Sequence, residues 1–463
     1  MKPIEIISLD FLILTLIAMA VYYLLAPRIQ PLWLLAVSYF FYATWNFYYV
    51  VFLLIFTTLN FFLAQQIEKT KSRALFLLSL MINAGSLISL KLLAGPYATN
   101  LLVQLHTSTL TALLLPIGFS FYVLQTISYL TDVYRGQLNA EKDFSHFALY
   151  LAYFPKMLAG PIERAKNFLP QLKQTRIVDK TSIEQGIYLI VIGLLRKVVI
   201  ADHLSKLRPA DIFSKPENYT SLERAIWLLV FAFILYNDFA GYTSIVRGLS
   251  CLFGIQLSSN FRQPFLARSF SDFWTRWHIT LSEWLRDYIF YPARRWLRSG
   301  WSALIIPSLL TMLISGFWHG AYLALLLWGF LHGVYLVLEQ LLQQFKLLPK
   351  DGYKARLYSI LVFIIVTLTW IPFNTPSVHS AERYLVGLLP PYSASFNIYI
   401  LPDFLLVFFS LWLDWQEQHH NDLAFPRKWS PVQQTWGVAI ALMVLVLFSS
   451  KGNDLSHFVY QFF

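Results

Sequence analysis

The sequence predicts an all-α integral membrane protein with about twelve transmembrane helices plus re-entrant or interfacial ones. Three observations carry that reading. Hydrophobic residues make up 57% of the 463-residue chain, aromatic residues 17% and charged residues only 13%. Mean hydropathy is +0.54, and such a composition lies well outside that of soluble proteins. Apolar runs recur along the whole length, at the roughly 20 residues that a crossing needs. The net charge of +11 sits in segments between those runs rather than on a soluble domain, which argues against nucleic-acid binding.

In chain order, crossings are expected at Phe11–Ala26, twice within Pro31–Ala64, then at Ala74–Leu90, Leu113–Leu130, Gly186–Ile200 and Ala225–Phe253. Two more fall within Ala303–Leu341, followed by Leu357–Ile371, Ile398–Leu413 and Gly437–Ser449. Arg196 and Lys197 interrupt Gly186–Ile200, and Asp403 interrupts Ile398–Leu413. Phe147–Ala159 is too short to span and contains Lys156. It runs into Phe154-Pro155-Lys156-Met157-Leu158-Ala159-Gly160-Pro161, whose prolines disfavour a straight helix, so a re-entrant bend is expected there.

No internal repeat or low-complexity linker stands out. The longest polar stretches, 161–182, 203–224, 256–300 and 414–433, are too small for a separate domain, so residues 1–463 read as one polytopic membrane domain. No cleavable signal is expected, because Glu5 and Asp10 accompany Lys2 ahead of the first apolar run and no small-residue cleavage site follows. Cys251, the sole cysteine, excludes an intrachain disulfide and any multi-cysteine metal site, and no metal site is expected.

Charge sets the topology. Residues 65–73 carry Lys69, Lys71 and Arg73 against Glu68, and residues 161–180 carry five basic groups against two acidic ones. Residues 262–299 carry seven arginines against Asp272, Glu283 and Asp287, and residues 346–356 carry four basic groups against Asp351. With twelve crossings, all four loops share one side. The positive-inside rule makes that side cytoplasmic and places both termini outside.

Within this frame a few residues point to chemistry. From Ala303 to Gln340 the only formal charge is Glu339, yet Ser315-Gly316-Phe317-Trp318-His319-Gly320-Ala321 sets a histidine in mid-run. An ionisable group so placed marks a functional site or a packed structural bond. Histidine exchanges a proton near neutral pH, and the flanking glycines allow a backbone turn and close approach of a substrate. Tyr236-Asn237-Asp238-Phe239-Ala240-Gly241-Tyr242 puts an aspartate at mid-span, where it needs a partner or a wet cavity, and Gly241 suggests a local break. Asn237 and Asp238 either orient a polar network beside the site or hold helices together. Trp274, Trp277, Leu281, Trp284 and Tyr288 follow a 3-4-3-4 spacing that lines one helical face. A basic helix of this kind lies naturally in the membrane interface. His278, followed by Ser282 at i+4, would line an opening at that surface.

Four ordered segments resemble the membrane-bound O-acyltransferase family, in particular its bacterial alginate O-acetyltransferase-like branch. They are Phe154–Arg164, Tyr236–Ser244, Asn260–Pro292 and Gly316–Ala321, with Gly193–His203 also typical of the branch. The resemblance covers most of the chain, from about Pro31 onward. It implies a ring of tilted helices around a central tunnel. It maps the family's near-invariant histidine to His319, its second histidine to His278, and another histidine of the branch to His332. Asp238, Asn237, Trp318, His332 and Ser282 are then candidates for lining the tunnel. The run Ala293-Arg294-Arg295-Trp296 departs from the branch's usual glycine-containing turn at the cytoplasmic entrance. The tail Phe458-Val459-Tyr460-Gln461-Phe462-Phe463 is similar to a C-terminal aromatic signature in which a tyrosine is proposed to carry the acyl group.

The resemblance implies a bacterial cytoplasmic-membrane enzyme with His319 as general base, His278 on the donor side and Tyr460 as acyl acceptor. It would bind no cofactor tightly. Its donor would be an acyl thioester, acetyl-coenzyme A or an acyl carrier protein, and its acceptor an extracytoplasmic polysaccharide or cell-wall glycan. A periplasmic or extracellular esterase-like partner would complete the transfer. D-alanyl transfer from a carrier protein to teichoic acid is the alternative within the enzyme class. A transporter or flippase would predict paired broken helices in corresponding halves, and no such symmetry is visible. A non-catalytic scaffold would keep working without His319.

Overall fold

Every regular element in the computed structural model is helical, and no strand occurs among the described residues, which are 3–93, 116–174, 178–389 and 404–449. In chain order the helices are α1 (Leu9–Leu24), α2 (Gln30–Trp45), α3 (Phe47–Thr70), α4 (Arg73–Leu93), α5 (Phe119–Tyr134), α6 (Phe144–Ala152), α7 (Ala165–Lys173) and α8 (Lys180–Leu194). The last continues through π-helical turns, Leu195–Asp202, into α9 (His203–Leu207). Then come α10 (Ser221–Leu252), α11 (Phe270–Trp274), α12 (Ile279–Leu285), α13 (Tyr291–Leu297), α14 (Trp301–His319) and α15 (Leu323–Gln344). The chain closes with α16 (Gly352–Asn374), α17 (Val378–Val386), α18 (Leu405–His420) and α19 (Pro431–Ser449).

Seven of these, α3, α4, α10, α14, α15, α16 and α19, are long and apolar enough to cross a bilayer. The protein is therefore a multi-pass membrane protein. The other expected crossings are also helical where described, but α1, α2, α5 and α18 have 16 residues each as regular helices. Parts of Leu113–Leu130 and Ile398–Leu413 lie outside the described residues. Burial separates the seven: 83% of the apolar window of α10 is buried, against 6% for α19, which packs Ala441, Val444 and Phe448 against Leu195 and Val199.

Backbone contacts divide the chain into two units, described separately. The first takes residues up to 187 together with 246–258. α1 and α3 start on side-chain caps that satisfy otherwise orphaned N–H groups: Ser8 accepts from Phe11 N at 3.1 Å, and Asn46 accepts from Tyr48 N at 3.0 Å as the chain turns from α2 into α3. Asn60 and Asn83 pair across α3 and α4 at 2.7 Å. α6, at nine residues, rises about 14 Å and cannot span. Its residues from Phe147 to Ala152 are all buried, and the following turn carries Lys156, whose ammonium donates to Tyr150 O at 2.6 Å and to Gln125. The Phe154–Pro161 segment leaves the helix as the prolines require. Gly118 sits opposite it at φ +78, where a Cβ would lie 2.3 Å from Met157 O. Glycine is needed there both for the left-handed backbone and for the approach.

The second unit takes 188–245 and the residues from 259 onward. Here the structure corrects two expectations. Gly241 does not break its helix, because α10 runs unbroken from Ser221 to Leu252. Its role is close packing: a Cβ on Gly241 would meet Gly193 O at 2.7 Å and Lys197 N at 2.8 Å. α18 runs into the polar stretch from 414, continuing to His420 and burying Asp414 and Glu417. And Trp274, Trp277, Leu281, Trp284 and Tyr288 do not share one interfacial helix. The chain breaks between α11 and α12, where His278 takes φ +42, and becomes π-helical at Arg286–Phe290. Trp274, Trp277, Leu281 and Trp284 are all buried, and the tryptophans exposed in this region are instead Trp296 and Trp301. Aromatic partners inside the protein outcompete the interface for those rings.

Candidate active site

α14 and α15 form a tight hairpin that carries His319 at the end of its first arm. A Cβ on Gly316 would lie 2.3 Å from Leu325 O, and one on Gly329 would lie 2.3 Å from Met312 O. The two glycines let the helix backbones touch, as small residues do between membrane helices. Gly316 thus serves helix packing, not substrate access. Gly320 is extended, with φ 176, and ends the helix.

His319 is 4% exposed. Its ring lies edge-to-face against Trp318 (centroids 4.9 Å), Trp328 (5.3 Å) and Phe373 (5.1 Å). Trp318 in turn faces His278 at 5.8 Å, and His278 also meets Phe239 at 4.8 Å. On the other side, Trp328 meets His332 at 4.9 Å. One chain of ring contacts, His278–Trp318–His319–Trp328–His332, therefore joins the three histidines and the tryptophan that the sequence singles out. Trp370 closes the cluster, 4.9 Å from Trp277 and 5.3 Å from Phe373.

The tautomer of His332 follows from its network. Thr369 Oγ1 donates to Val366 O at 2.6 Å, so its single proton is committed. The 2.9 Å contact between Thr369 Oγ1 and His332 Nε2 then assigns the ring proton to Nε2. His332 is held by a protein hydroxyl, with Nδ1 left as an acceptor.

His278 is positioned by backbone. Arg262 N donates to Arg276 O at 3.0 Å and Ile279 N to Asn260 O at 2.9 Å, while Thr280 Oγ1 donates to Asn260 Oδ1 at 2.6 Å. These bonds pin the break between α11 and α12. Ser282 Oγ donates to Trp277 O at 3.0 Å, and Ser282 N to His278 O at 3.0 Å, so this serine holds the turn. Upstream, Glu339 accepts from Phe270 N at 2.6 Å, Ser271 N at 2.9 Å and Tyr358 OH at 3.0 Å. The lone charge of the apolar run thus anchors the start of α11.

Asn237 and Asp238 belong to a neighbouring ionic network. Lys197 Nζ lies 2.6 Å from Asp238 Oδ1 and 2.7 Å from Asp202 Oδ1. Arg196 pairs with Asp414 at 2.6 Å and Glu417 at 3.0 Å and donates to Asn237 Oδ1 at 3.1 Å. Tyr236 OH donates to Asp414 at 2.7 Å, and Gln263 Nε2 to Glu417 at 3.0 Å. The next residue, Phe239, is the one whose ring meets His278. Tyr460 lies outside the described residues.

Sequence reasoning missed Trp328, Trp370 and Phe373, because apolar positions on spanning helices look alike in sequence. The signal available for Trp328 was its place next to Gly329, which the hairpin brings against Gly316. Chemically, the cluster offers imidazole nitrogens able to take a proton in surroundings made of rings, where charge developing in a reaction is poorly screened.

A sequence model of the membrane-bound O-acyltransferase family matches residues 142–373. The chain is 34% identical over 388 residues to the probable alginate O-acetylase AlgI of Pseudomonas syringae pv. tomato, covering 79% of this chain and 71% of that protein. It is 32% identical over 408 residues to the peptidoglycan O-acetyltransferase of Helicobacter pylori, covering 78% and 74%. A shorter match, 26% over 212 residues, links it to the teichoic acid D-alanyltransferase of Bacillus subtilis, covering 44% and 53%.

Proposed function

The chain belongs to the membrane-bound O-acyltransferase family and is an acyltransferase, and from that premise we propose that it carries acetyl from a cytoplasmic thioester for O-acetylation of an extracytoplasmic glycan. The observation that carries the site assignment is the single ring-contact chain joining His278, His319 and His332. His319 is the general base: it takes the proton of the attacking hydroxyl as that oxygen bonds to the thioester carbonyl carbon. His278 lies on the donor side. Acetyl-coenzyme A or an acyl carrier protein supplies the thioester, and no tightly bound cofactor takes part. The two longer matches are to O-acetyltransferases, which favours acetyl; the shorter match to a D-alanyltransferase keeps D-alanyl as the second acyl group to test.

The experiment is O-acetyl content of the cell's glycans with His319→Ala expressed at wild-type level. Loss of a general base costs about 10²–10⁴-fold, so acetylation should disappear. Normal acetylation removes His319 from the reaction.

Tyr460 is the acyl acceptor in this reading, handing the group to a periplasmic esterase-like partner. Tyr460→Phe keeps the ring and deletes the nucleophile. Transfer should stop, and the wild-type C-terminal peptide should carry an acetyl mass; transfer at the normal rate leaves the tail as an aromatic anchor. The enzyme resides in the bacterial cytoplasmic membrane with both termini outside. In a Cys251→Ser background, cysteines placed at Ser299 and Lys350 should resist an impermeant thiol reagent in intact cells, while one at Ser377 should react. Labelling at Ser299 reverses the orientation.

A further inference from the structure

Attack on a thioester carbonyl puts negative charge on its oxygen, and that oxyanion needs a donor already in place. No donor could be named from sequence. The aromatic cluster supplies three candidates. The indole N–H groups of Trp274, Trp328 and Trp370 are buried and make no hydrogen bond among the described residues. A buried N–H left without an acceptor is costly and uncommon, and three around one histidine cluster call for an explanation. Only Trp328 of the three has its ring against His319, at 5.3 Å and perpendicular to it. It is also fully buried and packed against the rings of His332 and Phe373, with Gly329 holding its helix close to α14. An indole fixed this way cannot turn its N–H toward solvent.

We infer that the Trp328 indole N–H is the oxyanion donor of the acyl-transfer step, set beside the His319 base by the α14–α15 hairpin. This rests on the acyltransferase reading of His319. The hydroxyl oxygen bonds to the carbonyl carbon while His319 takes its proton. The carbonyl π pair moves onto oxygen, which accepts the Trp328 hydrogen bond. The tetrahedral species then collapses, C=O re-forms, the C–S bond breaks, and the departing sulfur takes the proton back from His319. Trp328 gains nothing from the ground-state carbonyl that it does not gain more strongly from the oxyanion, so it acts on rate rather than on affinity. The competing role for this N–H is a purely structural bond to His332 Nδ1 after a small shift of the rings.

The test replaces Trp328 in the full-length, membrane-embedded protein with benzothienylalanine, which swaps the indole N–H for sulfur at nearly the same shape. A fluorotryptophan at the same position keeps the N–H and serves as the conservative variant. Both are scored for glycan O-acetylation rate in cells and for thermal stability after extraction. The inference predicts loss of about 10²–10³-fold in rate with benzothienylalanine, retained rate with fluorotryptophan, and the melting temperature of the wild type in both. A normal rate with benzothienylalanine overturns it. So does a rate that falls only as far as the amount of folded protein falls, which is the mark of a structural bond to His332. His319→Ala run alongside separates the two layers. If that variant is silent and the benzothienylalanine protein is active, the Trp328 inference alone is wrong. If His319→Ala transfers normally, the acyltransferase site itself is misassigned.

Discussion

Two polar assemblies lie buried in the second unit, and they solve the problem of burial in opposite ways. In the ionic network every charged group has an oppositely charged partner within 3.0 Å: Arg196 has two carboxylates, and Lys197 bridges Asp202 and Asp238. The histidine cluster is built instead on ring contacts, from His278 through Trp318, His319 and Trp328 to His332. The indole N–H groups of Trp274, Trp328 and Trp370 make no hydrogen bond among the described residues. Burying charge is tolerable only when it is paired and hydrogen-bonded, so the first assembly reads as architecture, tying the π-helical turn, α10 and α18 together. A site that must meet a transient charge does better with donors held in reserve. The lesson is that the polar groups most fully satisfied in a membrane protein are not the ones to suspect of chemistry.

That contrast can be broken by mutation. The largest effect on function should come from His319→Ala, with transfer reduced about 10²–10⁴-fold and extraction yield and melting temperature unchanged. A large loss of stability would move His319 from the reactive assembly to the structural one. Arg196→Ala should do the reverse. It leaves Asp414 and Glu417 buried without their cation, a change worth about 3–5 kcal/mol, and should appear as low yield of folded protein in detergent thermal melts. A stable, inactive Arg196→Ala protein would mean that the ionic network takes part in the reaction.

Two smaller changes sharpen the boundary between the assemblies. Gly329→Ala forces a methyl group toward Met312 O, 2.3 Å away, and overpacking of this kind costs about 1–3 kcal/mol. Its activity should fall more than its stability, since the hairpin sets Trp328 against His319; equal loss of both would make the hairpin a packing device only. Ser282→Ala removes one bond to Trp277 O, worth about 0.5–1.5 kcal/mol. It should lower the melting point slightly and leave the rate per folded molecule intact. A loss of rate without loss of stability would put Ser282 beside the substrate.

Much was legible in sequence because the bilayer is a stringent solvent. It requires runs of apolar residues closed into helices, so the membrane class and the seven long apolar helices follow from composition and run length. The same stringency makes His319 and Asp238 conspicuous, since an ionisable group in such a run must be matched by something. What it is matched by depends on residues far apart in the chain. Arg196 and Asp414 are 218 positions apart, and no local pattern pairs them. The spacing of Trp274, Trp277, Leu281 and Trp284 suits one continuous helix, yet the bonds from Asn260 and Arg262 to the 276–280 segment break it. Periodicity reports what a helix would bury, not whether the chain stays helical.

By itself, then, the sequence determined the helical class, most of the segments and the histidines to watch, because these follow from the transfer of side chains between water and hydrocarbon, which acts residue by residue. Only the tertiary structure decided which charges pair, that Gly316, Gly329 and Gly241 serve helix contact, and that Trp328 stands against His319. Those outcomes depend on distances of a few ångströms between segments remote in the chain, and such distances exist only once the helices have packed.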